Sequence, residues 1–177
     1  MAKRGYTWDT IRGGASDWDV SRPFSSYLRM FGSLLAHPVR FFEVLPRIPD
    51  VRAPALFLAF SGLPAAALWF AFGGLYSALG ALLLPLPLSF ALAALCYLLS
   101  AGGRYGYLVT WRILAYPLGF YLPLSAVPGF RWVGAVYAGV VLLGIGLATV
   151  REIGAARATL ASAAVTGLLL LATYAAW

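Results

Sequence analysis

An all-α, polytopic membrane protein is the fold class this sequence predicts, and three observations predict it. Hydrophobic residues fill 62% of the 177 positions and charged ones only 11%, against roughly 25% charged in soluble domains. The 51 residues from Ala53 to Gly103 contain no Asp, Glu, Lys, Arg or His. A transmembrane helix needs about 20 apolar residues, so this stretch holds two crossings and a turn. The charges are also segregated: eight of the 13 basic residues and five of the six acids lie at or before Arg52. The expected architecture is a bundle of five transmembrane helices preceded by short amphipathic interfacial helices.

Residues 1–20 are polar and aperiodic and read as a mobile or loosely docked cytoplasmic tail. They lack an apolar h-region, so no signal peptide is expected and the first span doubles as the targeting signal. Residues 21–52 read as a basic amphipathic segment. In "SRPFSSYLRMFGSLLA", Phe24, Tyr27, Leu28, Phe31, Leu34 and Leu35 recur at intervals of three and four, which gives one apolar helical face. In "HPVRFFEVLP", Pro38 suits a helix start; Phe41, Phe42 and Leu45 share a face, with Arg40 and Glu43 pointing elsewhere. Both pieces are too short to cross a bilayer. They fit helices lying in the membrane interface or helices packed against the bundle, and the sequence favours neither.

Residues 53–177 form the five-span domain. The first span runs from about Pro54 to Phe72, with a kink expected at Pro64 and Gly73 and Gly74 loosening its end. The second starts near Pro85 or Pro87 and ends about Ala101. The third covers Tyr107 to Val127, the fourth Trp132 to Val150 and the fifth Ala158 to Tyr174. Cys96 falls inside the second span; being the one cysteine in the sequence, it forms no disulfide within the chain and reads as a small packing residue.

Loop cations set the orientation. With the N-terminus in the cytoplasm, that face holds the eight early cations plus Arg104, Arg151 and Arg157, and the opposite face holds Arg131. Tyr105, Tyr107 and Trp111 crowd one interface and Trp132, Tyr174 and Trp177 the other, where indole and phenol rings settle. Twelve of the 13 basic residues are Arg, a composition associated with GC-rich bacterial genomes. The expected location is therefore the bacterial cytoplasmic membrane, multi-pass. The net charge of +7 points to anionic lipid at the cytoplasmic face rather than nucleic acid, because the cations cluster beside spans. Arg29, Arg40 and Arg47 are the candidates for lipid or partner contact.

The intramembrane candidates are Arg112, Tyr116, Tyr121 and Glu152. Arg112 lies six residues after Gly106, about 9 Å along a helix. It either snorkels to the headgroups or pairs with Glu43, Asp50 or Glu152 to close the cytoplasmic end. Glu152, between Arg151 and Arg157, reads by default as part of a solvated loop pair. Known catalytic constellations find no residues: the sequence has a single histidine, His37, and a single lysine, Lys3, and the spans carry no carboxylate pair. The expectation is a protein that is no enzyme, with no catalytic residue, metal site or cofactor. Small residues four apart, Ala135 with Gly139 and Ala163 with Gly167, suit close helix packing, within one chain or in a homo-oligomer.

The pieces "LLAHPVRFFEVLP", "WRILAYPLGFYLPLSAVPGFRW" and "GIGLATVREIGAARATLA", in that order over residues 34–172, resemble the Yip family of Ypt/Rab-GTPase-interacting polytopic membrane proteins, in particular its bacterial branch. "DVRAP" is similar to the family's "DLYGP" motif at Asp50 and Pro54, with Arg52 where the motif has tyrosine. "AY" stands for its "GY", so Tyr116 matches and Ala115 replaces the glycine. The resemblance implies five spans, a cytoplasmic N-terminus and a membrane-organising or partner-binding role, with Asp50 and Pro54 among the partner-binding residues. A small permease, channel or lipid conduit is the alternative; it requires a polar cavity between the second and third spans, lined by Ser89, Ser100, Thr110, Tyr116 or Tyr121.

Overall fold

A computed structural model describes residues 18, 19, 21–47 and 50–175. The expected tail falls largely outside them, as does Trp177. The described secondary structure is all helical: α1 (Pro23–Ala36), α2 (Pro38–Val44), α3 (Arg52–Leu83), α4 (Pro85–Leu99), α5 (Tyr107–Ser125), α6 (Phe130–Val150) and α7 (Ala155–Ala175). Two of these, α3 and α6, are long and apolar enough to cross a membrane; Pro85–Leu99 and Ala155–Leu171 are shorter apolar helices.

α3 is two helices. Helical dihedrals run through Pro64, where a kink was expected, and break instead at Gly74 (φ 76°, ψ −169°), a conformation open to glycine and costly for other residues. After the break the chain returns alongside its own first half: a methyl group on Gly62 would sit 3.6 Å from the Ala81 carbonyl oxygen and from the Leu82 side chain. Leu84, between α3 and α4, keeps right-handed helical dihedrals (φ −76°, ψ −29°). The second arm of this hairpin therefore begins just after Gly74, not at Pro85 or Pro87. Those prolines sit within the arm because each deletes one amide bond without reversing the chain.

α5 is the central helix, with 15 of its 19 residues buried. Small residues let its neighbours approach: a methyl on Gly119 would lie 2.7 Å from the Phe57 ring, and one on Gly146 would lie 2.6 Å from Ile113. α6 carries a π-helical turn, Tyr137–Leu142, where the wider backbone accommodates Gly139 against the Thr166 side chain of α7. Cys96 is fully buried.

The two amphipathic pieces pack against the bundle. Trp18 and Tyr27 lie on Phe60 and Phe57, Phe31 stacks on Phe120 at 4.6 Å, and the Tyr137 hydroxyl donates to the carbonyls of Leu34 and Leu35 at 3.2 Å. After His37 the chain turns back. Phe41 meets Tyr116 edge-on at 5.1 Å, Phe42 lies against Gly146, and the Pro46 carbonyl reaches Arg112. Contacts of α2 and of the residues after it thus step along α5 from Tyr116 towards its N-terminal half at Arg112. α1 and α2 are a helical hairpin whose apex lies beside the middle of the bundle. α1 still leaves Phe24, Leu28 and Leu35 exposed, an apolar stripe next to its packed face.

Candidate functional site

The ion-paired side chains gather at one end of the bundle, where residues 45–47, the α4–α5 turn and the α6–α7 turn meet. Glu152 is the hub. Its two carboxylate oxygens accept from Arg47 at 3.0 Å and Arg104 at 2.7 Å. Arg47 also donates to the Tyr105 hydroxyl at 3.2 Å and lies over that ring. Three chain segments far apart in sequence are tied through one carboxylate. Glu152 has φ 55° directly after the last turn of α6, where helices commonly end on glycine. A glutamate there accepts local strain to present both oxygens to arginines. The expected local pairing with Arg151 and Arg157 does not form: Arg157 donates instead to the Ala101 carbonyl at 3.4 Å.

Arg151 read as a loop cation; it is buried, 1% exposed. Its Nη1 donates to Ser100 Oγ at 2.6 Å and Thr110 Oγ1 at 3.0 Å, and its guanidinium lies 4.8 Å from the Tyr97 ring centroid. The α4–α5 turn is shaped around it. A methyl on Gly103 would come within 2.5 Å of Arg151 Nε, and Gly102 has φ 91°. The sequence held one signal for this, the paired glycines of "SAGGR" facing a basic turn, but nothing in it linked the two turns.

Arg112 is also enclosed by protein, 1% exposed, so it does not snorkel. Its Nη1 donates to the Pro46 carbonyl at 3.0 Å, pinning the end of the α2 hairpin to α5. The acids considered as its partners are placed elsewhere. Glu152 serves Arg47 and Arg104, Glu43 is exposed on α2, and Asp50 accepts from the Arg52 amide at 2.9 Å at the start of α3. Pro54 is buried in the first turn of α3. Arg29 and Arg40 are exposed. The structure therefore brings Arg47, Arg112 and Glu152 to one end and leaves Arg29 and Arg40 on the outside.

Tyr116 is buried in an aromatic cluster with Phe41 and Phe57. Tyr121 borders a different feature, a partly open cavity of about 280 Å³ among Trp69, Ala81, Leu88, Leu118 and Leu122. Its lining is largely apolar; Trp69 Nε1 donates to Ser125 Oγ at 3.4 Å at its edge. The other groups expected along a polar passage are occupied. Ser89 accepts from Trp111 Nε1 at 2.8 Å and donates to the Leu86 carbonyl, while Ser100 and Thr110 hold Arg151.

Fold and site together define an all-helical protein with two helices able to span a membrane and an arginine-bound cap at one end. The chain matches no protein-family model, no curated protein and no solved structure.

Proposed function

We propose that the chain is a multi-pass integral membrane protein that acts as a non-enzymatic scaffold, organising membrane or binding a partner as its resemblance to the Yip family implies. Its five crossings are residues 52–73, 75–99, 107–125, 130–150 and 155–175, with the N-terminus and the arginine cap in the cytoplasm of a bacterium. The observation that carries this reading is the commitment of the polar interior. Ser89, Ser100 and Thr110 bond to protein groups, Tyr116 sits among rings, and the buried hydrophobic core is mostly Leu, Ala and aromatic side chains. A solute path needs unsatisfied polar groups along a wetted cavity, and these groups are spent on holding helices together.

The apolar side cavity favours a second reading, a lipid conduit. Reconstitution into liposomes separates the two. A scaffold leaves solute and lipid flux at the protein-free level. Flux above that level, abolished by filling the cavity through Ala81→Phe, would replace the scaffold with the conduit.

A further inference from the structure

The outer face of α2 is charged although it lies inside the cap end of the bundle. Phe41 meets Tyr116, nine residues into α5 from Tyr107, about 14 Å at 1.5 Å per residue. Phe42 lies against Gly146, four residues from the end of α6, about 6 Å. Arg40 and Glu43, on the opposite side of the same helix, are therefore roughly 6–14 Å inside the cap end of the bundle. Both are exposed, and among the described residues neither has a hydrogen-bond or ion-pair partner. Ionisable side chains at such depth reach back to the headgroups, face a wetted cavity or meet a partner, because hydrocarbon solvates them at a cost of several kcal/mol.

The arrangement of the face names the partner. Three residues apart on a helix, Arg40 and Glu43 stand about 60° apart around the axis and about 4.5 Å apart along it. Val39 and Val44, 50% and 70% exposed, flank them. When two copies in the same membrane orientation turn this face towards each other about a two-fold axis along the bundle, Arg40 of each copy falls on the same side as Glu43 of the other. The small axial offset is within reach of both side chains. A two-fold contact is self-complementary, with each pair occurring twice. We propose that the α2 face is a homodimer interface, closed by two reciprocal Arg40–Glu43 ion pairs between copies. Phe24, Leu28 and Leu35, also exposed on the hairpin, supply apolar surface around the same hairpin. This inference rests on the membrane reading for the depth of the charges.

The test is cross-linking in native membranes with a flexible bismaleimide, with Val44→Cys in the full chain and Cys96→Ala to remove the buried thiol. The wild-type face is expected to give a covalently linked dimer. Arg40→Glu and Glu43→Arg, each placing like charges opposite one another, should each cut the dimer yield roughly tenfold or more. The combined swap should restore it, which mere misfolding would not do. Absence of the linked dimer in the wild-type background would overturn the interface. A linked dimer that survives the single swaps would overturn the ion pairs. Extraction by alkaline carbonate tests the membrane reading separately: release of the protein sinks that reading whatever the cross-link shows.

Discussion

Gly103 and Arg151 show how a single buried cation shapes its surroundings. The guanidinium fills the space where a side chain on residue 103 would sit, so Gly103→Ala is expected to destabilise by about 1–3 kcal/mol through overpacking. Arg151→Met should cost less, because Ser100 and Thr110 keep bonds to the carbonyls of Cys96 and Gly106, and replacing a buried charge by an apolar side chain is often near neutral. With Met at 151, the cost of Ala at 103 should shrink by more than about 1 kcal/mol, since residues in contact couple. Thermal unfolding in detergent of the two single variants and the double variant checks this; additive costs would refute the contact. Outside the bundle, Asp19 is held below the ordinary carboxylate range by hydrogen bonds from the Ser21 hydroxyl and then the Ser21 amide. Its contribution to order is thus present above the ordinary range and lost as pH falls through its lowered value. In an NMR titration, Ser21→Ala should move the Asp19 midpoint upward; an unchanged midpoint would contradict the bond.

Among the elements, the α6–α7 contact separates two glycines that the sequence presented alike. Gly139 and Gly167 each stood in a small-residue pair. In the structure a side chain at 139 would run into Thr166, while one at 167 meets nothing within 4 Å. Gly139→Val should therefore destabilise by about 1–3 kcal/mol, and Gly167→Ala should be neutral or stabilising by up to about 1 kcal/mol from helix propensity. Equal effects of the two would show that α6 and α7 do not meet as described. The same contrast explains what was legible in the sequence. The extents of α5, α6 and α7 follow from runs of apolar residues bounded by Gly, Pro and Arg, and these local signals lie within a few residues of the observed ends. The start of the second arm was misplaced because prolines dominate the local pattern at 85 and 87, whereas the reversal needs the left-handed dihedral that Gly74 supplies. The seat of α1 and α2 was open for another reason. A helix with aromatic residues on one face serves a membrane surface or a protein groove equally well, and only the tertiary partners Phe57, Phe120, Tyr116 and Gly146 decide.

For the molecule as a whole, the cap is the feature that sequence distance hid. Arg47, Arg104 and Glu152 are separated by up to 105 residues, and no local pattern joins them. Once joined, they tie the hairpin to both turns at one end of the bundle. Removing the hub by Glu152→Gln should lower stability by about 1 kcal/mol, because partly exposed pairs are individually weak. The loss should lessen in high salt as screening weakens the native pairs; a salt-independent loss would contradict the ion pairs as its cause. The central claim is that this cap, and the chain's beginning with it, face the cytoplasm across five crossings. Its most direct measurement is membrane-impermeant thiol labelling of single cysteines, in intact cells and after lysis, at Ala2, Gly154 and Pro128 in a Cys96→Ala background. The account predicts that Ala2→Cys and Gly154→Cys label only after lysis, whereas Pro128→Cys labels in intact cells. Labelling of Ala2→Cys and Gly154→Cys from opposite sides, or of Pro128→Cys only after lysis, would contradict it.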